Sequence, residues 1–338
     1  MIELDELQLV VVADNETDTL SSIDNTEQHS EAAGLLGRLD PSFTIDGHAH
    51  TSIFDHLCCA CHGFSVLATA RHGGRQRTVL FDVGPYGDIW LTNAERLGID
   101  LATIESVFLS HWHWDHSGGL TEAVTAIAAA RHDAGLPSPH VDVHPDRPEQ
   151  RGIELPDGRV MLLPVDPTFD ELEAAGATVA SFDIDHPIAD GFFHGSGEIP
   201  RTTPFETGLV GHRTMRNGTF GPDPLILDER YVSATVRGRG VTVLSACSHA
   251  GIVNAAAAAT NTANAPLDLV LGGYHLAGKA MEQRIPDTVR ALHDLDPQLV
   301  APGHCTGWRA KAALADAFSP TGRYAPSVVG TRYSLTAR

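Results

Sequence analysis

The run His-Trp-His-Trp-Asp-His at residues 111–116 constrains this chain most, because it puts four side chains that can bind metal within six residues, directly after the apolar segment 107–109. On a helix, His111 and His113 would face about 200° apart, and on a strand Asp115 and His116 would point to opposite faces. A loop at the end of a buried strand can instead gather all four side chains around one or two ions. Imidazole and carboxylate ligands suit Zn²⁺, Fe or Mn²⁺. The dense spacing, followed by Ser-Gly-Gly-Leu at 117–120, favours a metal site over a histidine-rich surface loop.

Apolar segments on both sides of this loop predict a layered α/β fold. A strand at 104–109 leads into the loop, and a helix at 120–134 follows it. The first strand is expected at 7–12, and a short helix at 31–38. In the second half, a hairpin at 231–244 and strands at 267–271 and 298–301 each end in small residues and a histidine. Two sheet-and-helix halves that meet at a metal site explain this pattern.

We expect one domain over residues 1–338, with an insertion-like segment at about 135–230 that is rich in Pro, Asp and Gly. Within it, the mixed-charge run Asp146, Arg147, Glu149 and Arg151 is most simply a solvated face.

Composition narrows the classes of partner and location. A formal net charge of −20 disfavours nucleic acid but allows a small, possibly anionic substrate. No segment approaches the roughly 20 apolar residues of a membrane span, so no membrane partner is expected. The acidic N-terminus lacks the order of a signal peptide, which predicts a cytoplasmic protein.

Five cysteines do not indicate a disulfide framework in a chain of this length. Cys58 and Cys61 have the spacing of a zinc knuckle, but no second pair of this kind exists, so we interpret them first as structural.

From residue 10 to about residue 317, the chain resembles the metallo-β-lactamase superfamily, and within it the dihydropterin–ribofuranosylaminobenzene phosphate synthase-like branch. The motifs that carry the resemblance are Asp-Asn at 14–15, His-Gly-Phe-Ser at 62–65, Phe-Asp-Val-Gly at 81–84, the metal-binding run with its flanks at 109–120, Gly-Glu-Ile-Pro-Arg at 197–201 with Phe-Glu at 205–206, Cys-Ser-His-Ala-Gly-Ile at 247–252, Gly-Gly-Tyr-His-Leu at 272–276 and Pro-Gly-His-Cys-Thr-Gly at 302–307. The resemblance implies an αββα sandwich, with two mixed sheets flanked by helices and a metal site at one edge between the sheets.

The resemblance also implies a ligand set. His111 and His113 match histidines of a first metal, Asp115 and His116 match ligands of a second, and His304 matches the last histidine of the superfamily pattern.

The chain departs from the pattern after the hairpin, where many members have a bridging aspartate. Here Ala246 and Cys247 occupy that place, and His249 follows two residues later. We predict His249 as a ligand and keep Cys247 open, as a thiolate ligand or as a small buried residue beside the site. The loss of the aspartate leaves one or two Zn²⁺ ions possible, with Fe or Mn²⁺ as alternatives.

Other residues remain open between roles. For His275 we keep metal ligation, substrate contact or proton transfer, and a structural role. Asp82 is expected to orient a ligand histidine or the turn backbone, and His62 to be structural or to support the ligands. Arg201 is expected to bind an anion or to pair with Glu198.

These residues predict a metal-dependent hydrolase in which a metal-bound hydroxide attacks a small phosphorylated, cyclic-ester or pterin-like substrate. Asp115 and His275 are the predicted catalytic residues. The alternatives are a pyrophosphate-displacing transferase of the synthase-like type, an iron-dependent redox enzyme and a non-catalytic ligand-binding regulator. Oligomeric state is left open.

Overall fold

A computed structural model describes residues 2–21, 28–30 and 43–338 of the chain, the segment 28–30 by its backbone alone. Strands are the most numerous elements in these residues. The helix expected at 31–38 lies outside the described residues. The described strands are, in chain order, β1 (Glu3–Leu4), β2 (Glu6–Ala13), β3 (Gln28–Ser30), β4 (Phe43–Ile45), β5 (His48–His50), β6 (Ser65–His72), β7 (Arg75–Phe81), β8 (Ser106–Phe108), β9 (His140–Val143), β10 (Gln150–Glu154), β11 (Val160–Leu162), β12 (Thr178–Ser181), β13 (His186–Ile188), β14 (Phe193–Gly195), β15 (His212–Arg216), β16 (Thr219–Pro222), β17 (Val232–Val236), β18 (Gly240–Ser245), β19 (Leu267–Gly273), β20 (Leu299–Gly303) and β21 (Thr331–Thr336).

The α-helices in the described part of the chain are α1 (Gly87–Arg96), α2 (Trp114–Ser117), α3 (Leu120–Asp133), α4 (Phe169–Ala174), α5 (Ile252–Ala263), α6 (Ile285–Leu295) and α7 (Trp308–Phe318). A 3₁₀ turn over Met281–Arg284 precedes α6 directly. Pro286 lies in the first turn of α6, where its missing N–H costs no helical hydrogen bond.

Two large sheets form the frame. The eight-stranded sheet has the order β12-β9-β8-β7-β6-β2-β21-β3. The seven-stranded sheet has the order β13-β14-β17-β18-β19-β20, with β1 beside β17. Each sheet joins an antiparallel hairpin, β6–β7 or β17–β18, to parallel strands that follow it, so both sheets are mixed.

Three hydrophobic clusters give the layers. Phe81 and Phe108 of the first sheet share one cluster with Leu244 and Leu271 of the second, so this cluster is the core between the sheets. A second cluster packs α1 and α3 on the outer face of the first sheet, and a third packs α5, α6 and α7 on the outer face of the second. Each fully buried large apolar side chain stabilises the fold by about 1.5–3 kcal/mol relative to its exposed state. The order helix, sheet, sheet, helix is the predicted αββα sandwich.

A smaller four-stranded sheet, β11-β10-β15-β16, shares no strand with the two large sheets, and we call it the accessory sheet. It lies within the segment predicted to be insertion-like. That segment also supplies β9 and β12 to the eight-stranded sheet and β13 and β14 to the seven-stranded sheet.

The ends of five strands place side chains at one edge of the sandwich. Asp82 follows β7, the loop at 111–116 follows β8, Cys247 follows β18, His275 follows β19 and His304 follows β20. Among the described residues, no helix combines the length and apolar character needed to cross a bilayer.

Candidate metal centre

A change of backbone conformation within the loop separates its four donor side chains into two pairs. His113 is extended, with φ −126° and ψ 140°, and it precedes the single helical turn α2. Asp115 and His116 lie on that turn and belong to a different group of donors from His111 and His113. The loop thereby supplies two neighbouring groups of donors.

The first donor group consists of His111, His113 and His249, whose donor atoms all lie within 4.8 Å of one another. Nε2 of His111 is 3.0 Å from Nδ1 of His113. The ring centroid of His249 is 5.0 Å from those of both other histidines. All three side chains are buried.

The second donor group consists of Asp115, His116, Cys247 and His304, again with donor atoms within 4.8 Å. Oδ2 of Asp115 lies 3.3 Å from Nε2 of His304 and 3.7 Å from Nε2 of His116. Sγ of Cys247 lies 3.3 Å from the same two ring nitrogens. The two groups adjoin, since the rings of His111 and His116 have centroids 4.6 Å apart.

Hydrogen bonds on the far side of the rings orient two ligands. Asp82, which is fully buried, accepts hydrogen bonds from the backbone N–H of Ser110, from its hydroxyl, and from Nδ1 of His116 at 2.8 Å. The Ser110 hydroxyl in turn lies 2.9 Å from Nδ1 of His111. With both Nδ1 atoms carrying a proton, the Nε2 atoms of His111 and His116 face the pocket.

Asn15 does the same for His304. Its Oδ1 lies 2.9 Å from Nδ1 of His304 and also accepts the backbone N–H of Gly63, while its amide nitrogen is 3.0 Å from Nδ1 of His62. Nε2 of His62 lies 3.6 Å from Oδ2 of Asp115. Asp14 fixes the backbone of His304 by accepting its N–H at 2.8 Å.

Electrostatics sets the protonation of both groups. Burial lowers the pKa values of His111, His113 and His249 well below the ordinary value, and neighbouring histidines lower them further, so these rings are neutral. Burial also opposes charge on His116, but Asp115 and Asp82 outweigh it and raise its pKa to about 9. Burial alone would raise the pKa of Asp115, yet His116 and His304 hold it well below its usual range.

A third cluster lies beside the second donor group. Cys247, His275 and Cys305 have donor atoms within 4.8 Å of one another, so Cys247 belongs to both sets. The ring of His275 has its centroid 4.4 Å from that of His249, and its buried Nδ1 has no hydrogen-bond partner.

The two donor groups fit a bound transition-metal ion. Both ring nitrogens of His249 are buried without a hydrogen-bond partner, which is costly for a side chain with no further role. Nitrogen, sulfur and carboxylate donors of this mixture suit Zn²⁺.

Comparisons with known proteins agree with this geometry. A sequence profile described as the Metallo-beta-lactamase superfamily matches residues 60–213, which include the loop. The chain is 27% identical to "7,8-dihydropterin-6-methyl-4-(beta-D-ribofuranosyl)-aminobenzene-5'-phosphate synthase" of Methanocaldococcus jannaschii over 260 residues, 76% of this chain and 85% of that one. These two matches support the metallo-β-lactamase superfamily that the sequence motifs resemble. The match to the synthase also supports the synthase-like branch.

A solved structure gives the same fold. A protein described as a metal-dependent hydrolase of the β-lactamase superfamily superposes with a TM-score of 0.66 at 23% sequence identity, covering 98% of this chain and 99% of that one. In the present structure the predicted ligands lie together at the expected edge between the sheets, and Cys247 lies among them.

One expectation for the charged residues is wrong. Arg151, predicted to lie on a solvated face, is 1% exposed and pairs with Asp228, because the accessory sheet packs it against the loop. Arg201, expected to bind an anion or to pair with Glu198, donates hydrogen bonds to the backbone carbonyls of His249 and Leu225. It therefore reaches the site, and anion binding by Arg201 stays a prediction.

The cysteines at 58–61 take no part in the site. Within the described ranges, the groups of donors close enough to share an ion include neither Cys58 nor Cys61. Burial raises the pKa values of both thiols to about 11, which keeps them protonated.

Sequence reasoning missed His212, Asp228 and Cys305. His212 is buried against His113, and Asp228 accepts the backbone N–H of Trp112 at 2.9 Å. Cys305 directly follows the predicted ligand His304, and this position in the sequence could have identified it. His212 and Asp228 lie in a segment without clear periodicity, where nothing marked them.

Proposed function

We propose that this protein is a metal-dependent hydrolase that acts on a small phosphorylated, cyclic-ester or pterin-like substrate. The observation that carries the proposal is the adjacency of two donor groups, one of three histidines and one of Asp115, His116, Cys247 and His304. Paired metal positions of this kind are typical of hydrolytic sites.

Zn²⁺ is the ion that these donors favour, with Fe or Mn²⁺ as alternatives. When bound, such ions supply Lewis acidity, which polarises a substrate oxygen and promotes loss of a proton from water.

We assign Asp115 the role of holding the second ion and orienting the attacking water. Its carboxylate faces the pocket and stays ionised. We assign His275 a role in proton transfer to the leaving group, because its ring lies beside His249 and has a nitrogen without a partner. Burial of the ligand histidines excludes bulk water from this part of the pocket.

The experiment combines metal analysis of the purified protein with a screen of phosphodiesters, lactones and thioesters. Activity should require metal and should fall at least about 100-fold in His111→Ala, as expected when a metal ligand is lost. His132→Ala, at a ring 89% exposed on α3, is the matched control and should retain full activity. Metal-loaded protein that hydrolyses none of the three classes would refute the hydrolase.

A transferase is the second candidate, because the relative from M. jannaschii is named as a synthase. In this reaction an acceptor displaces pyrophosphate, and ions held by the two donor groups would stabilise the charge of the leaving group. The test is release of inorganic pyrophosphate from a diphosphate-bearing pterin, with and without an aromatic amine acceptor. Release that depends on the acceptor favours the transferase over the hydrolase.

Two further classes are outcomes of the same metal analysis. Iron together with peroxide or persulfide activity identifies a redox enzyme. A biological role that survives His111→Ala while metal is lost identifies a non-catalytic binder.

The remaining proposals concern context. We propose a single domain over residues 1–338, with the insertion-like segment at about 135–230, working in the cytoplasm on a small molecule. The net charge of −20 supports the absence of nucleic acid and membrane partners.

A further inference from the structure

A buried histidine of the accessory sheet contacts His113 of the metal-binding loop. His212 is the first residue of β15 and is 1% exposed. Its Nε2 lies 2.9 Å from Nε2 of His113, on the ring edge of His113 opposite the nitrogen that faces His111. The contact therefore leaves Nδ1 of His113 free for the pocket.

Two ring nitrogens 2.9 Å apart form a hydrogen bond only if one of them carries a proton. A second contact of His212 determines which of the two rings carries it. Nδ1 of His212 lies 2.8 Å from the backbone carbonyl oxygen of Asp223, which can only accept. A neutral His212 must therefore carry its proton on Nδ1, and its Nε2 is then an acceptor. The proton in the contact consequently belongs to Nε2 of His113.

This assignment fixes the donor atom that His113 offers to an ion. With Nε2 protonated, the remaining lone pair is on Nδ1, the atom 3.0 Å from Nε2 of His111. His111 and His116 present Nε2 to the pocket, because Ser110 and Asp82 take the protons of their Nδ1 atoms. His113 thus offers Nδ1 where the other two histidines offer Nε2, and its contact with His212 accounts for this difference.

The accessory sheet also holds the peptide next to His113. Arg151, on β10, donates to the carbonyl oxygen of Trp112 at 2.8 Å, and Asp228 accepts the N–H of the same residue at 2.9 Å. Arg151 and Asp228 are paired with each other at 2.5 Å. The loop is therefore held both at the backbone of Trp112 and at the ring of His113.

We propose that His212 is a positioning residue for the metal centre, which sets the Nε2–H tautomer of His113 so that Nδ1 coordinates the first ion. The proposal rests on the proposed function only in taking His113 as a ligand. A plain packing role for His212 would fill the same volume, but it would not determine which nitrogen of His113 carries the proton.

The first test uses the unmodified protein with Zn²⁺ bound. Long-range ¹H–¹⁵N NMR spectra of the imidazoles distinguish the two neutral tautomers, and the signals of His113 are identified by their change in His212→Leu. We expect the proton of His113 on Nε2 and that of His212 on Nδ1. A proton on Nδ1 of His113 overturns the proposal.

The second test measures Zn²⁺ affinity by competition with a chromogenic chelator. His212→Leu, which keeps volume but removes the acceptor, should weaken binding by about 10–100-fold, the usual effect of losing a partner of a ligand histidine. His212→Gln, which restores an acceptor oxygen, should recover most of that loss. His194→Leu, a buried histidine on β14, is the matched control and should bind as the unmodified protein does.

The outcomes separate this proposal from the proposed function. If the unmodified protein binds Zn²⁺ and His212→Leu binds it equally tightly, with the same Co²⁺ absorption spectrum, His212 has no positioning role and the hydrolase proposal stands. If the unmodified protein binds no metal, both proposals are refuted. If all three variants lose affinity alike, the effect is general to buried histidines and the specific role of His212 is refuted.

Discussion

Sγ of Cys247 lies 3.3 Å from Nε2 of His304, and at the same distance from Nε2 of His116. The thiol thus stands between two histidines, where many members of the superfamily place a bridging aspartate. A sulfur donor is softer than a carboxylate and biases the second position toward Zn²⁺ over Mn²⁺.

We expect Cys247→Ala to empty the second position and leave the first occupied, because His111, His113 and His249 do not depend on the thiol. The affinity for the second ion should fall by at least about tenfold. Metal content after dialysis, measured by mass spectrometry, checks this. Cys59→Ser, at an exposed cysteine, should bind as much metal as the unmodified protein. Equal metal content in Cys247→Ala would rule out a ligand role for the thiol.

Replacing Asp82 by Asn should loosen the second ion without touching any ligand atom. The carboxylate accepts from Nδ1 of His116 and twice from Ser110, and an amide cannot accept all three hydrogen bonds in the same way. We expect metal affinity to fall by about 10–100-fold. The matched control is Asp133→Asn, whose side chain is 85% exposed at the end of α3. A Zn²⁺ titration in which both variants agree would contradict the role of Asp82.

Binding of the second ion should release a proton, because the pKa of His116 is raised to about 9 in the ion-free protein. Below about pH 9 the ring is protonated before binding, and it is neutral once it binds the ion. Affinity for this ion should therefore rise with pH up to about pH 9, by up to about tenfold per unit for one proton. Calorimetry in buffers of different ionisation enthalpy counts the protons. Buffer-independent heats at pH 7.5 would show that the ring is already neutral.

Asp228→Asn should destabilise the fold by up to about 3–5 kcal/mol, because it removes the nearer carboxylate from the buried guanidinium of Arg151 and leaves only Asp223 at 3.6 Å. Urea unfolding of the metal-free protein measures this change. Asp157→Asn breaks the exposed pair with Arg159 and should cost less than about 1 kcal/mol. Similar losses in the two variants would show that burial of the Arg151 pair has no special effect.

The sandwich and the main ligands were predictable because their signals are local. The apolar segments of β2, β8, β18 and β19 mark strands within a few residues of their observed bounds. The four donors at 111–116 are adjacent in sequence, and His304 sits in a glycine-flanked turn after a strand. The grouping of Cys247 with Asp115 could not be predicted from local signals, because it depends on how the two sheets face each other.

The accessory sheet could not be predicted, for two physical reasons. Its strands, such as β11 and β16, are short and largely exposed, so they lack the alternation that marks a half-buried strand. Arg151 reads as a surface charge, because its burial depends on Asp228, a partner far away in sequence. The same distance hid the contact of His212 with His113.

The edge of the sandwich holds several residues in a backbone conformation that side chains normally avoid. Asp82, Ser248, His275 and His304 all have φ between 43° and 61°, and each follows a strand that ends at this edge. Such conformations cost on the order of 1–3 kcal/mol each and persist only where the surroundings enforce them. A peptide that copied residues 109–120 would lack Cys247, His249 and His304, and it would also lack the surroundings that enforce these conformations. Affinity for an ion is a property of the whole sandwich, so substitutions deep in either sheet should alter it even where they touch no ligand.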